Sequence, residues 1–168
     1  GALREIEGRG LPTQLSVKPT QLGLHASVEE CHRQIAPIAA CAAQHGSILW
    51  IDMEDSSYVD RTLELYEGLK GEYDGIGLCL QSYLRRTPGD LERLLPLRPA
   101  IRLVKGAYAE PESEAFPAKR DTDAQFLALG ERLLEAAGRE GAFPVFGTHD
   151  RGILGRLRDR AEELGLPS

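Results

Sequence analysis

Short apolar runs alternate with longer amphipathic stretches along the chain, and this alternation constrains the fold more than any other feature of the sequence. Five runs rich in Ile, Val, Leu or Phe have the length and composition of strands that are buried on both faces. They are Gln14–Val17, Ile48–Ile51, Gly75–Leu80, Ala100–Val104 and Phe143–Phe146. A helical pattern follows most of them, so the sequence predicts repeated βαβ units and a parallel sheet.

Capping signals predict where several helices begin. Ser27 and Glu30 have the spacing of a capping box, in which each side chain bonds the backbone of the other residue. Thr87 before Pro88 predicts an N-cap followed by proline at the first helical position. Asp150 is predicted to cap the last helix.

Parallel sheets occur mainly as barrels or as open doubly wound sheets. The GxGxxG fingerprint of an open dinucleotide-binding sheet is absent, since Gly75-Ile76-Gly77 lies inside a predicted strand. The sequence therefore favours an α/β fold, a partial (βα)8 TIM-type barrel of about five parallel strands with intervening helices. One long connection, Ala109–Arg120, follows the fourth strand, and so long a loop in a compact α/β domain is more often functional than idle.

Composition and charge argue against several classes of protein. Twenty basic residues against 26 acidic ones give a net charge of −6, which disfavours nucleic acid as the main partner because phosphate binding needs a basic face. No apolar run approaches the length of a transmembrane helix. Cys31, Cys41 and Cys79 are predicted to be reduced thiols of a cytoplasmic protein. The histidines lack metal-ligand spacing, so no metal site is expected.

Polar side chains follow the carboxyl ends of all five predicted strands, which is the end where barrels of this kind carry their catalytic groups. Alternation along a strand places Arg102 and Tyr108 on one face of the fourth strand. It likewise places Asp52 and Glu54 on one face of the second. The residues in or after these strand ends are Lys18, Thr20, Gln21, Asp52, Met53, Glu54, Asp55, Gln81, Ser82, Tyr83, Arg102, Lys105, Tyr108, Thr148, His149 and Asp150, nearly all of them polar.

Each of these residues also has a purely structural explanation. Lys18 can be a solvated loop lysine, and Arg102 can be an ion-pair partner at the rim of the sheet, although a buried arginine in a strand needs a partner. Taken together, however, the residues suit a polar cofactor. Gly106-Ala107 lets the backbone approach a flat group, and Lys105 can meet a phosphate as a point charge.

Five segments of the chain carry a resemblance to a known family. They are SVKPTQLGL at 16–24, IDMEDSSYVDRTLELY at 51–66, CLQSYLRRT at 79–87, IRLVKGAY at 101–108 and FGTHD at 146–150. In order and spacing these segments resemble the proline dehydrogenase family, including the catalytic domain of the bifunctional proline utilisation proteins. RLVKGAY together with DMEDS is far more specific than a single short motif.

The resemblance implies a distorted eight-stranded barrel that binds FAD. It implies oxidation of L-proline to pyrroline-5-carboxylate, by hydride transfer from the C5 carbon to the flavin N5 atom, as a step of proline catabolism. It also implies a membrane quinone as the electron acceptor, and hence a cytoplasmic protein that associates peripherally with the inner membrane.

The resemblance also implies roles for individual residues. By position, Lys18, Asp52, Arg102 and Tyr108 belong to the catalytic site, with Arg102 against the isoalloxazine ring. The positions implied to contact FAD are Met53, Gln81, Arg102, Lys105, Gly106, Ala107, Thr148 and His149.

The chain departs from the family pattern in two respects. The family holds the substrate carboxylate with an arginine pair on the last barrel helix, whereas Arg85-Arg86 follows the third predicted strand and does not match that motif. The family's first strand and last two strands also lack counterparts. We therefore expect residues 1–168 to form a single domain that is a fragment of a proline dehydrogenase barrel.

Two alternatives remain open from the sequence. The chain taken alone can be an inactive fragment, because five strands do not close an eight-stranded barrel. Lysines at strand ends, here Lys18 and Lys105, also suit a Schiff-base lyase on a barrel scaffold. Borohydride trapping with a carbonyl substrate would support the lyase, and a bound yellow flavin would support the dehydrogenase.

Overall fold

A computed structural model describes residues 13–167 together with Glu5, Gly8 and Arg9. It contains two compact units, of which the first ends at Leu78 and the second begins at Cys79. The boundary falls inside a strand, so each unit holds part of a parallel sheet.

The first unit alternates strands with helices. Its elements in chain order are β1 (Leu15–Val17), a 3-10 turn (Pro19–Leu22), α1 (Val28–Gln44), β2 (Leu49–Ile51), a second 3-10 turn (Ser56–Tyr58), α2 (Val59–Glu72) and the first half of β3 (Ile76–Gln81). β1 pairs with β2, and β2 pairs with β3, both in parallel. The carboxyl ends of β1 and β2 therefore lie side by side.

The second unit continues the same alternation. Its elements are the second half of β3, α3 (Thr87–Leu94), a 3-10 turn (Leu95–Leu97), β4 (Ala100–Val104), α4 (Lys119–Arg139), β5 (Phe143–Gly147) and α5 (Arg151–Glu163). β3, β4 and β5 are neighbours in that order, and β4 and β5 run parallel. Five parallel strands alternating with helices confirm the predicted α/β class.

The strands lie close to where the apolar runs predict them. β4 has the predicted bounds, and the other four differ by one residue at one or both ends. All residues of β2 and β3 are buried, as expected for strands covered on both faces. In β4, Ile101 and Leu103 are fully buried while Arg102 and Val104 are half-buried, which is the alternation of a strand with one polar face.

Two of the predicted caps are present, one of them in part. Ser27 accepts a hydrogen bond from the backbone N–H of Glu30 at 3.1 Å, as predicted. The other half of the capping box is replaced, since the N–H of Ser27 donates to the Gly23 carbonyl at 3.2 Å. The Glu30 carboxylate accepts from Gln34 at 2.9 Å. Asp150 caps α5 by accepting from two backbone N–H groups.

The predicted N-cap at Thr87 is wrong by one residue. Thr87 is itself the first residue of α3, and Pro88 is the second. The Thr87 hydroxyl donates to the carbonyl of Gln81 at 2.6 Å, so it serves the end of β3. A local signal cannot reveal such a competing acceptor, because the acceptor is supplied by the preceding strand.

None of the helices in the described ranges is both long and apolar enough to cross a membrane. The expectation that the family's first strand has no counterpart concerns residues that precede Thr13, and most of these lie outside the described ones, so it stays a prediction. Membership of a single barrel domain stays a prediction.

Candidate functional site

Side chains at the carboxyl end of β2 hydrogen-bond to residues in and before β1. The indole N–H of Trp50 donates to the side-chain oxygen of Gln14 at 2.6 Å. The hydroxyl of Ser16 donates to the Asp52 carboxylate, also at 2.6 Å. Trp50 and Asp52 are two residues apart and use the same face, as strand alternation predicts. Asp52, a predicted catalytic residue, is thus held by a neighbouring strand.

Glu54 extends this row by another two residues. Its carboxylate accepts hydrogen bonds from the backbone N–H of Thr20 at 2.8 Å and from the Thr20 hydroxyl at 2.6 Å. Glu54 is only 7% exposed, and a buried carboxylate needs such donors to offset its lost hydration. The sequence marks Glu54 merely as polar, and nothing in it identifies Thr20, 34 residues away, as its partner.

Lys18 lies between these anchored neighbours. It precedes the 3-10 turn Pro19–Leu22 with extended backbone, and its side chain is exposed. Met53, a predicted FAD-contacting residue, is 5% exposed and belongs to the core of the first unit. The structure thus brings Lys18, Asp52 and Met53 to the carboxyl ends of β1 and β2, and their catalytic or binding roles stay predictions.

In the second unit, Gln81 is the last residue of β3 and the first polar residue at that strand end, and it is 4% exposed. Beyond β3 and β4 the pairing continues, because the N–H of Tyr83 donates to the carbonyl of Lys105 at 2.9 Å. Gly106 follows with a φ of +118°, a conformation that favours glycine. A Cβ at Gly106 would lie 2.2 Å from the Tyr83 ring. The flat group that the structure shows against Gly106 is therefore this ring.

Lys105 belongs to a cluster of two cations and two carboxylates. Its Nζ lies 2.6 Å from Asp123 of α4 and 3.3 Å from Asp150, and Lys119 pairs with the same two carboxylates. Hydrogen bonds from Lys105 and Lys119 lower the pKa of Asp123. The pKa of Asp150 is lowered first by the backbone N–H of Ile153 and then by Lys105. Asp123 stands 18 residues from Lys105 and is not among the residues that the sequence predicted for the site.

The remaining predicted residues of the second unit lie at the ends of β4 and β5. Arg102 and Tyr108 are half-buried, and Ala107 is exposed. The Thr148 hydroxyl accepts from the backbone N–H of Asp150 at 3.2 Å, while the neighbouring His149 is exposed. These positions agree with a polar strand end, and the assignment of each residue to cofactor or substrate stays a prediction.

The arginine pair after β3 is engaged in contacts of its own. The Nε of Arg85 donates to the carbonyl of Glu112 at 2.9 Å, and its guanidinium lies 4.5 Å from the centre of the Phe116 ring. Arg86 binds the Asp90 carboxylate with two hydrogen bonds of 2.8 and 3.0 Å. Both side chains therefore have structural partners, which agrees with the expectation that they do not replace the family's carboxylate-binding pair.

The long connection after β4 is fastened rather than loose. It is shorter than predicted, because α4 already begins at Lys119. An isolated antiparallel bridge joins Leu84 to Ala115, and the N–H of Phe116 donates to the carbonyl of Tyr83 at 2.9 Å. With the Arg85 contacts, these bonds hold the connection against the segment that follows β3.

An apolar groove of about 540 Å³ lies elsewhere in the second unit, among α4, β5 and α5. Phe143, Phe146, Leu154 and Leu157 are among the side chains that line it. No predicted site residue borders this groove. Within the described ranges, the structure contains no group of three metal-ligating side chains.

Comparison with known proteins connects these strand ends to one family. The family profile described as Proline dehydrogenase matches residues 3–168. Proline dehydrogenase 1 of Bacillus subtilis is 35% identical over 167 residues, an alignment that covers 99% of this chain and 54% of that protein. The chain thus spans about half the length of the curated relatives it matches.

A further relative and a solved structure point to the same family. Proline dehydrogenase of Deinococcus radiodurans is 43% identical over 119 residues, or 70% of this chain and 37% of that protein. The crystal structure of proline utilization A (PutA) from Bdellovibrio bacteriovorus, inactivated by N-propargylglycine, matches with a TM-score of 0.81. That match has 26% identity and covers 90% of this chain and 19% of the PutA chain.

Proposed function

Because the chain belongs to the proline dehydrogenase family, we propose that the protein is an FAD-dependent oxidoreductase that converts L-proline to pyrroline-5-carboxylate in proline catabolism. The observation that carries this proposal is the run IRLVKGAY, which forms β4 and its polar carboxyl end within a chain aligned almost throughout with a proline dehydrogenase. We also propose a membrane quinone as the electron acceptor, with the protein in the cytoplasm and peripheral at the inner membrane.

The residues at the strand ends have the chemistry that FAD requires. Arg102 and Lys105 supply positive charge for a polar ring and a diphosphate, and Thr148 and His149 add hydrogen-bond donors. Gln81 brings a buried amide to the end of β3. We assign these residues to the cofactor, together with Met53, Gly106 and Ala107. Asp123 and Asp150 already bind Lys105, so a diphosphate would compete with these carboxylates for its ammonium group.

For the substrate we assign Lys18, Asp52, Arg102 and Tyr108. The Asp52 carboxylate, oriented by Ser16, suits attraction of the ammonium group of proline. Bound FAD supplies the acceptor for the hydride that leaves the C5 carbon of proline. Arg102 contributes a fixed positive charge, which stabilises negative charge that develops beside it. These residues thus position and polarise the substrate, while the cofactor carries out the redox chemistry.

The Schiff-base alternative receives less support. An amine nucleophile has to leave its partners in order to attack a carbonyl, and Lys105 is bound by two carboxylates. Lys18 is exposed and stays available for such chemistry, so the test must separate the two activities.

The test is a flavin titration of a full-length protein that contains residues 1–168, followed by addition of the substrate. We expect a yellow chromophore that bleaches when L-proline is added without oxygen. N-Propargylglycine, the inactivator of the Bdellovibrio PutA, should abolish the activity. A protein that binds no flavin, but is trapped by borohydride with a carbonyl substrate at Lys18, would contradict the proposal and favour the lyase.

A further inference from the structure

The segment that carries Lys18 is held on both sides by two carboxylates of the neighbouring segment, Asp52 and Glu54, which are two residues apart. Before Lys18, the hydroxyl of Ser16 donates to Asp52. After it, the backbone N–H and the hydroxyl of Thr20 both donate to Glu54. The Lys18 side chain itself is exposed, so its direction depends on how the backbone on either side is held.

The geometry after Lys18 explains why a carboxylate is needed there. Pro19 opens the 3-10 turn and has no N–H, so the N–H of Thr20 is the first donor that the turn must satisfy. The Glu54 carboxylate accepts this N–H at 2.8 Å while its other oxygen accepts the hydroxyl of the same residue at 2.6 Å. Two hydrogen bonds to one buried anion fix both the position and the rotation of the turn.

The rest of the turn is held equally closely. Pro19 is buried, and its carbonyl accepts from the N–H of Leu24 at 3.1 Å and from the thiol of Cys31 at 3.4 Å. Gly23 ends the turn with a φ of +93°. Little freedom therefore remains between β1 and α1, and Glu54 is the charged group that holds its start.

We propose that Glu54 is a positioning residue, whose carboxylate fixes the turn after Lys18 and thereby sets the direction in which Lys18 leaves β1. Glu54 acts through Lys18 and does not itself touch the substrate. The catalytic part of this inference rests on the proposed function, in which Lys18 belongs to the substrate site. The clamp between Glu54 and Thr20 is a separate, structural part.

The structural part is tested by hydrogen exchange on the intact protein. In Glu54→Gln the neutral amide oxygen can accept from only one Thr20 donor, and the amide N–H₂ can only donate to the Thr20 hydroxyl, so both charge-assisted hydrogen bonds of the clamp are lost. We expect exchange at the Thr20 and Gln21 amides to become at least tenfold faster, with the amides of α1 and α2 unchanged. Unchanged exchange at Thr20 would overturn the clamp.

Asp55→Asn is the matched control for this measurement. Asp55 is the next residue along and caps the following 3-10 turn, by accepting from the N–H and the hydroxyl of Ser57. Asparagine caps about as well as aspartate, so this variant removes an adjacent charge while keeping its local structure. Its exchange rates at Thr20 and its turnover should equal those of the wild type.

The catalytic part is tested by a double-mutant cycle between Glu54 and Lys18. Glu54→Gln should lower kcat for proline about tenfold, with the FAD dissociation constant unchanged. In a Lys18→Met background the same substitution should cause no further loss, because a residue that acts through Lys18 has nothing left to position. Independent, multiplicative losses would overturn the positioning role.

A second pair of variants covers the case in which Glu54→Gln does not fold. Thr20→Val removes only the hydroxyl donor and should lower kcat severalfold, whereas Thr20→Ser keeps both donors and should restore wild-type turnover. Equal activity in the two Thr20 variants would overturn the inference. If a full-length wild-type protein does not oxidise proline, while Glu54→Gln still shows the exchange effect, the clamp is confirmed and both the proposed function and the catalytic role of Glu54 are overturned.

Discussion

The two units hold the carboxylates near their strand ends, Glu54 after β2 and Asp123 in α4, in different ways. In the first unit, Glu54 is 7% exposed and accepts from a backbone N–H and a hydroxyl, both neutral donors of Thr20. In the second, Asp123 is about one-quarter exposed and is bound by the ammonium groups of Lys105 and Lys119. One carboxylate is buried among neutral donors, and the other belongs to a half-solvated ion cluster.

This difference indicates which of the two interactions should weaken when the salt concentration rises. Salt screens exposed charges and leaves buried hydrogen bonds between a carboxylate and neutral donors largely unaffected. The clamp on Glu54 should therefore fix the backbone at low and at high salt alike. The ion cluster can exchange partners, which suits a lysine that is proposed to meet a diphosphate.

The largest effect should be a complete absence of turnover in the 168-residue chain expressed alone. In the described part of the chain, Arg85 and Arg86 are engaged with Glu112, Phe116 and Asp90, so this pair does not replace the family's arginine pair at the substrate carboxylate. The chain, saturated with FAD, should not bleach on addition of L-proline without oxygen. Bleaching at a rate near that of a full-length homologue would direct attention to Arg85 and Arg86 as a substitute site.

Arg102→Met in a full-length protein should show the next largest effect. Loss of the positive charge should lower the reduction potential of the bound flavin and slow its reduction by proline on the order of a hundredfold. FAD should remain bound. Stopped-flow reduction and potentiometry provide the measurement, with the exposed Arg93 of α3, changed to Met, as the control. An unchanged potential would remove Arg102 from its assigned role.

Asp52→Ala should reduce kcat/KM at least about tenfold, equivalent to roughly 1.4 kcal/mol of transition-state stabilisation. Asp52→Asn separates charge from structure, because the amide oxygen can still accept the bond from Ser16. We expect the asparagine variant to lose nearly as much activity as the alanine variant. Full activity in a folded Asp52→Ala variant would make Asp52 a structural residue.

The smallest expected effect is a difference in how salt changes the free energy of unfolding that is lost when either kind of carboxylate contact is removed. Asp123→Asn should destabilise the protein by at most about 1 kcal/mol, and the loss should shrink at high salt because the pair is partly solvated. Thr20→Val should cost on the order of 1 kcal/mol at every salt concentration. Urea unfolding at low and high salt gives both values, and an equal salt response would erase the contrast between the units.

The same ion cluster predicts a dependence of stability on pH. Lys105 and Lys119 lower the pKa of Asp123, so its folded pKa lies below its unfolded one. The stabilisation is therefore fully present above the unfolded carboxyl pKa of about 3.9, and it is lost as the pH falls through the lower folded value. Asp123→Asn should remove the contribution of Asp123 to this acid-range dependence, whereas Thr20→Val should leave that contribution intact.

Much of the fold could be predicted from the sequence because its causes are local. Apolar runs such as Ala100–Val104 have to be buried wherever they occur, and Asp150 can cap a helix with its own backbone neighbours. The errors arise where a distant group competes. The Thr87 hydroxyl donates to the Gln81 carbonyl instead of capping, and α4 begins at Lys119, inside the connection Ala109–Arg120 that the sequence predicted.

The sequence by itself determined the alternation of strands and helices, the polar ends of the strands and the segments that identify the family. Only the tertiary structure decided which side chains meet there: Thr20 with Glu54, Lys105 with Asp123, and the Tyr83 ring with Gly106. The reason is physical. Hydrophobic periodicity and capping act within a few residues, whereas a buried carboxylate or a glycine with positive φ is satisfied by whatever group the neighbouring strand brings within reach.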